Sequence, residues 1–341
     1  MSYVHVRPSR TSSPGSSEAT AGPPPRITPN LFGISFGVAG LAEAWSAAAD
    51  LFTVPGWVAT VLWLSVAALW LGTAAIYGTS VWRSHRLRAE LVNPVTSPFI
   101  ALALIVPMLL GAFVGQHHVG GVVLWCAGLT TTVAFGGWIS GQWILSDLNL
   151  SQWHPGYFLP TVAGGLLAAA SSAQLGYRPL AEFMFGYGVI CWLVLGSILL
   201  QRLFTQPLLP KALVPTMAIE VAPPVVAGIA WFSINRGKVD QFSYVLAGYA
   251  VLMVLVQFRL VHAYLTVPFG PGWWAFAFSY AAVFVDAIHW LAAEHVTHGL
   301  IWTYLLLAVV TAGMAALALR TALALSNHQF LPARPAGGAL R

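Results

Sequence analysis

Ten long apolar runs, separated by short polar stretches, dominate the sequence. Each run is about 20 residues long, which is enough for one helix to cross the hydrocarbon core of a membrane. The pattern predicts an all-α integral membrane protein with ten transmembrane helices. The predicted spans lie at about 29–48, 56–77, 96–116, 119–145, 156–175, 181–201, 213–234, 240–260, 272–292 and 299–322.

The composition supports a membrane protein and excludes a water-soluble one. Of the 341 residues, 58% are hydrophobic and only 7% are charged, and the mean hydropathy is +0.76. An ordinary soluble domain has about 25% charged residues. The net charge is +5, but the basic residues flank apolar runs, where they act as topology signals. We therefore expect a lipid bilayer and no nucleic acid as a partner.

The basic residues also predict the orientation of the chain. An even number of spans places both termini on one side of the membrane. A cytoplasmic amino terminus puts twelve of the fifteen lysines and arginines on the cytoplasmic side, as the positive-inside rule requires. We predict a multi-pass protein of the plasma or inner membrane with both termini in the cytoplasm. The predicted regions are a disordered Ser/Pro/Gly-rich tail (1–26), a transmembrane domain (27–325) and a second polar tail (326–341).

Short loops predict that consecutive spans form five antiparallel hairpins, and prolines distinguish the two members of a hairpin. Interior prolines occur only in odd-numbered spans. A proline removes a backbone donor, and a membrane tolerates the freed carbonyl only where protein or a water-filled cavity satisfies it. We therefore predict that odd spans line a pathway, with helix breaks at Pro107, Pro160, Gly164, Pro223 and Pro224.

Three acidic residues lie deep in the odd-numbered spans: Glu43, Glu220 and Asp286. A charge at the bilayer centre costs roughly 2.5–3.5 kcal/mol on insertion scales, so such residues face the protein interior and often mark a pathway or proton relay. The alternative is a protonated acid bonded to a carbonyl freed by a helix break. Glu220 is the strongest pathway candidate because it lies one turn before Pro223 and Pro224.

Other kinds of chemistry find little support in the sequence. No lysine or arginine lies deep in a span. An anion would therefore be held by backbone dipoles at bent helices, and such binding would be weak, as in a channel. Glu294, His295 and His298 lack the spacing of a zinc motif, and no Walker-type phosphate loop occurs. We expect no metal, no cofactor and no enzymatic activity, and a metalloenzyme using the outer histidines is the weakest alternative.

Five segments together resemble one family: HPGYFLP (154–160), SSAQLGY (171–177), PTMAIEVAPP (215–224), SINRGKVD (233–240) and WWAFAF (273–278). They are similar to the family of the tellurite-resistance protein TehA, the plant slow anion channels and the malic acid transporters, over about 29–325. The resemblance implies five hairpins with quasi-fivefold symmetry, odd helices around a central pore, and a homotrimer with one pore per protomer. It also implies that Phe278, a packing residue by sequence alone, is the gate of the pore.

The resemblance implies movement of small anions, and two acids modify that expectation. Glu220 and Asp286 depart from the family's pattern, and an unpaired carboxylate repels an anion. This departure favours a proton-linked carrier of dicarboxylate or sulfite. We predict an anion channel or transporter for chloride, nitrate, C4-dicarboxylates such as malate, sulfite or tellurite-related anions. The alternative is a proton-coupled exporter of cationic or neutral compounds that uses the buried acids.

Overall fold

The computed structural model describes residues 27–331, and this range contains helices and loops but no strand. The predicted all-α class is therefore confirmed. The α-helices are α1 (Phe32–Leu51), α2 (Gly56–Ser84), α3 (Leu87–Val92), α4 (Ile100–Gly115), α5 (Val119–Leu145), α6 (Gly164–Gln174), α7 (Arg178–Thr205), α8 (Ala222–Ile234), α9 (Gln241–Leu265), α10 (Ala275–Ala293) and α11 (Gly299–Ser326).

Within the described range, nine helical segments are long and apolar enough to cross a membrane. The predicted fifth span, at about 156–175, is shorter: it is a π-helical turn, Leu159–Ala163, followed by α6. Pro160 lies at the start of this turn, where its missing N–H and fixed φ disfavour a regular α-helix. Single π-turns within helices are often found at functional sites.

Helices that are consecutive in the chain pack against each other as pairs: α1 with α2, α4 with α5, α6 with α7, α8 with α9, and α10 with α11. The first members of these pairs also contact one another. α1 packs against α4 and α10, α6 packs against α4 and α8, and α8 packs against α10. These contacts join α1, α4, α6, α8 and α10 into a closed ring, which we call the inner ring.

Burial separates the inner ring from the second members of the pairs. The four inner segments that qualify as spans are 44% to 78% buried, whereas the spans of α2, α5, α7, α9 and α11 are 17% to 28% buried. Every interior proline lies in an inner segment, where neighbouring helices surround the backbone groups that the proline frees. The less buried helices present Leu, Ile, Val and aromatic side chains outward, as a lipid-facing surface does.

The described domain extends slightly beyond the predicted carboxyl-terminal boundary. α11 ends at Ser326, and Phe330 is only 3% exposed because its ring packs near Phe269, with centroids 6.1 Å apart. At the other end, the Arg86 guanidinium donates to the carbonyl of Ile27 at 2.7 Å. The predicted amino-terminal tail and the residues after 331 lie outside the described residues.

Candidate functional site

Three cavities lie one after another inside the inner ring, and together we call them the row of cavities, or the row. We name them by the ends of α1: the N-side cavity, the middle cavity and the C-side cavity. The N-side cavity is lined mainly by apolar residues of all five inner segments, including Phe36, Leu102, Leu159, Pro223 and Trp274. The middle cavity is lined from the same five helices. The C-side cavity lies at the carboxyl-terminal ends of these helices.

Phe278 on α10 separates the N-side cavity from the middle cavity. Phe278 and Val226 are the two residues that line both cavities. The Phe278 ring stacks on Phe36 of α1, with centroids 3.8 Å apart and planes at 14°. Phe278 is 6% exposed, and the two neighbouring cavities have volumes of only about 50 and 30 Å³. The Phe278 side chain therefore fills the space between the two cavities.

A missing side chain on α1 lets Phe278 take this position. A Cβ atom at Gly40 would lie 3.1 Å from Cδ2 and 3.2 Å from Cα of Phe278, and 2.9 Å from the Cβ of Ala281. Gly37 faces Ala277 and Trp274 in the same way, one turn earlier. Small residues that recur along one helix face allow close backbone approach in membranes. The close approach of α1 and α10 therefore places the aromatic rings.

Glu43 lies at the next junction, between the middle and C-side cavities. Four residues line both of these cavities: Glu43 on α1, Gln174 on α6, Ile229 on α8 and Val285 on α10. Glu43 is partly buried, because its side chain faces the open space of the two cavities. Among the described residues that line the middle cavity, Glu43 is the one charged side chain.

The C-side cavity is wider and more polar than the other two. Its volume is about 290 Å³. Its lining combines two carboxyl groups, Glu43 and Asp50, with Arg236 and His289. A mixed-charge, water-accessible cavity of this kind can admit small ions from solution to the narrow part of the row.

The predicted helix-break positions fall in different places. Pro223 lines the N-side cavity, as do Leu159, Val162 and Ala163 of the π-turn. Gly164 instead packs towards α5, since a Cβ atom there would lie 2.8 Å from Cγ2 of Thr132. Pro107, Pro160 and Pro224 are not among the residues that line the three cavities. These three shape the inner helices without facing the row.

Glu220 does not line any of the three cavities. It lies in a 3-10 segment, Val214–Val221, is 6% exposed, and its Oε1 atom has no hydrogen-bond partner within the described residues. This segment contacts α10 and α9, and on α9 the Gln257 amide donates to the carbonyl of Met217 at 3.2 Å. Glu220 therefore does not face the row of cavities, although its position before Pro223 predicted that it would.

Asp286 is also absent from the lining of the three cavities. It is 7% exposed, and its Oδ1 atom has no hydrogen-bond partner in the part of the chain that is described. This oxygen occupies the space beside Gly228 of α8, where a Cβ atom would lie 2.5 Å from it. Asp286 also borders an outer groove with Tyr244 and Trp290. Only Glu43 of the three deep acids therefore faces the row of cavities.

Several residues of the row were not anticipated from the sequence. Neither Phe36 nor Gln174 was a predicted site residue, and their importance comes from the rings and cavities that they meet. A usable signal for Phe36 was present in the glycines at positions 33, 37 and 40, which mark one face of α1 for close helix packing. Gln174 lies in SSAQLGY (171–177), one of the five segments that resemble the family, but the resemblance gave this residue no role of its own.

Comparison with known proteins identifies the family of this chain. A family model described as the voltage-dependent anion channel matches residues 26–322. The chain belongs to the voltage-dependent anion channel family. It is therefore a multi-pass membrane protein of a family of anion channels and transporters, and the family is not one of enzymes.

Three relatives indicate the breadth of the voltage-dependent anion channel family. A tellurite resistance protein TehA homolog of Haemophilus influenzae is 32% identical over 266 residues, covering 74% of this chain and 77% of the relative. The S-type anion channel SLAH3 of Arabidopsis thaliana is 27% identical, covering 86% of this chain and 47% of the relative. The guard cell S-type anion channel SLAC1 of Arabidopsis thaliana is 25% identical, with coverage of 79% and 50%. The chain thus spans about half the length of these plant channels.

Proposed function

We propose that this chain moves small anions through the N-side, middle and C-side cavities of a single protomer, with Phe278 as the gate. The observation that carries the proposal is the position of Phe278. It lines both the N-side and the middle cavity and stacks on Phe36 between them. An aromatic ring in a narrow apolar passage stops ions by sterics and by excluding water.

The lining of the row supports an anion as the transported species. In the described residues, no charged side chain lines the N-side cavity, and the middle cavity has only Glu43. An anion would contact backbone dipoles and polar side chains there, so binding is weak and passage is fast. Chloride, nitrate, sulfite, C4-dicarboxylates such as malate and tellurite-related anions are the proposed candidates. The names of the relatives support anions as a class, and tellurite resistance belongs to one of those names.

The placement of the acids weakens the alternative of a proton-coupled exporter for cationic or neutral compounds. That alternative depended on three deep acids along one route. Glu220 and Asp286 do not line the three cavities, so a cation in the row would meet only Glu43 at depth. Measurement of the reversal potential in a salt gradient separates anion passage from cation passage, since a cation pathway gives the opposite sign.

The proposed architecture has ten transmembrane helices in five hairpins with quasi-fivefold symmetry, and 159–174 is the shortest crossing. The closed inner ring supports it, because each helix pair contributes one member. We further propose a homotrimer with one pathway per protomer, in the plasma or inner membrane, with both termini cytoplasmic. The excess of basic residues on one side supports the orientation. Native mass measurement of the detergent-solubilised protein tests the trimer, and a mass of one or two chains would contradict it.

Anion flux into proteoliposomes tests the gate. Phe278→Ala removes the ring between the two cavities and is expected to raise flux by at least about tenfold, which corresponds to about 1.4 kcal/mol of barrier. Phe276→Ala is the matched control. Phe276 lies on the same helix, but its ring packs against Tyr264 and does not line the row of cavities. Its flux should equal that of the unmodified protein.

Two results would contradict the proposal. Equal flux in Phe278→Ala and the unmodified protein, with both proteins correctly assembled, would remove Phe278 as the gate. An equal increase in Phe276→Ala would show that loss of an aromatic side chain loosens α10 as a whole. Assembly is checked by size-exclusion elution of each variant before reconstitution.

A further inference from the structure

The junction between the middle and C-side cavities is a second narrow point, separate from Phe278. It is built by one residue from each of four inner helices: Glu43, Gln174, Ile229 and Val285. Ile229 and Val285 are apolar and offer an ion no hydrogen bond. An ion that passes from the C-side cavity to Phe278 must therefore pass the carboxyl of Glu43 and the amide of Gln174.

We propose that Glu43 and Gln174 form a binding site for a small, hydrogen-bond-accepting anion, and that the site operates only while Glu43 carries a proton. The inference rests on the proposed function, because it requires that anions use this row of cavities. It adds a site that selects the ion and couples its passage to pH. The anion and the proton occupy the junction together.

The chemistry of the two side chains gives the site its dependence on protonation. A neutral carboxyl group has one O–H donor, and the Gln174 amide has two N–H donors. Both can donate to the same anion in the junction. An ionised carboxylate only accepts hydrogen bonds, and its negative charge repels an anion where little water screens it. Loss of the Glu43 proton therefore converts a binding site into a barrier.

The charged and titratable groups around Glu43 lie on α1 and α10 and in the loops that follow α4 and α8. Asp50 lies two turns further along α1, His289 is on α10, and Arg236 follows α8. His117 follows α4 and is close enough to Asp50 for an electrostatic interaction. α6 contributes the uncharged Gln174. Arg236 attracts anions into the wide cavity, but the two residues at the narrow junction decide which of them pass.

The other deep acids provide unusually close controls. Glu220 and Asp286 are also carboxyl groups of inner segments, and both are at most 7% exposed. Neither lines the three cavities. A pH response that comes from Glu43 must therefore survive neutral substitution of Glu220 and Asp286. If the pH response came from buried acids in general, neutral substitution of any one of Glu43, Glu220 and Asp286 would alter it.

The test is chloride and nitrate flux through proteoliposomes at one acidic and one alkaline pH, in the Phe278→Ala background. With Glu43 intact, flux is expected to be about tenfold higher at acidic pH, the ratio produced by about 1.4 kcal/mol. Glu43→Gln is expected to show the high flux at both pH values. Glu220→Gln and Asp286→Asn are expected to keep the full pH response.

The outcomes separate this inference from the proposed function. No anion flux in Phe278→Ala at either pH would overturn the proposed function. Flux that keeps its pH response in Glu43→Gln would overturn the proton-dependent site while leaving the gate intact. If Glu43→Gln does not assemble, Glu43→Asp and Gln174→Leu replace it. Glu43→Asp should keep a pH response, and Gln174→Leu should lower the flux at acidic pH. Unchanged flux in Gln174→Leu would also contradict the proposed site.

Discussion

The rings of Phe36 and Phe278 stack face to face, with centroids 3.8 Å apart, and so join α1 to α10 across the passage between two cavities. Each ring is 6% exposed. Because Phe36 lines the N-side cavity and Phe278 lines both cavities, the two rings form one obstruction. Movement of Phe278 out of the passage requires that it leave its contact with Phe36.

We expect Phe36→Ala to raise anion flux, though less than Phe278→Ala does. Aromatic pairs contribute about 0.5–1.5 kcal/mol beyond the area they bury, so loss of the partner should raise the population of open Phe278 by about 2- to 10-fold. The measurement is anion flux into proteoliposomes. The double variant should conduct as Phe278→Ala does, because Phe36 acts through the Phe278 ring. Additive effects in the double variant would instead mean that Phe36 obstructs the passage independently.

The space beside Gly228 is occupied by the carboxyl group of Asp286, and this contact predicts a paired effect on stability. A Cβ atom at Gly228 would lie 2.5 Å from Oδ1 of Asp286. Gly228→Ala should therefore lower the free energy of unfolding by about 1–3 kcal/mol, as overpacking does, and thermal unfolding in detergent measures it. Combining it with Asp286→Ala should restore most of this loss. Gly248→Ala is the control, because a Cβ atom there meets nothing within 4 Å, and it should not lower the free energy of unfolding. A double variant as unstable as Gly228→Ala would disprove the contact.

His154 predicts a loss of stability in acid. Its Nδ1 accepts from the Gly156 N–H at 3.1 Å, so Nε2 carries the proton and donates to the Val95 carbonyl at 3.0 Å. The ring is fully buried in the loop before Pro155, and burial lowers the pKa of His154 from 6.5 to about 4. Between these values the unfolded chain binds a proton that the folded chain does not. Stability should therefore fall as the pH drops from 6.5 to 4, by up to about 3 kcal/mol.

Thermal unfolding of His154→Gln across this pH range checks the assignment. The variant should be less stable at neutral pH, because Gln does not reproduce both ring hydrogen bonds. It should also lose less stability on acidification than the unmodified protein. His295→Asn is the control, since His295 is exposed, and it should keep the full acid response. An identical acid response in His154→Gln would place the responsible group elsewhere.

The sequence predicted the secondary structure well, because hydrophobic length and proline position act locally. Nine of the ten apolar runs are helices of spanning length in the described residues. The exception, at about 156–175, is shorter because Pro160 and a π-turn interrupt it. The division into buried and less buried helices also followed from the prolines. Proline frees backbone groups that a membrane tolerates only inside protein, so this local signal carries information about packing.

The roles of individual side chains were less accessible from the sequence. Depth in a span was a correct guide to burial for Glu220 and Asp286, which are 6% and 7% exposed. Depth could not indicate the direction of a side chain, because helix rotation and tilt are set by the neighbouring helices. Phe278 was a packing residue by its local pattern, and only its resemblance to a family segment indicated a gate.

The sequence by itself determined that this protein is a helical membrane protein, roughly where its long apolar helices lie, and which family it resembles. These properties depend on the hydrophobicity and backbone preferences of short segments. The tertiary structure decided which acid faces the row of cavities and which two rings meet inside it. Glu43 and Gln174 are 131 positions apart in the chain, yet both line the same two cavities. That relationship arises when the helices pack into a ring, because packing alone fixes the face that each helix turns inward.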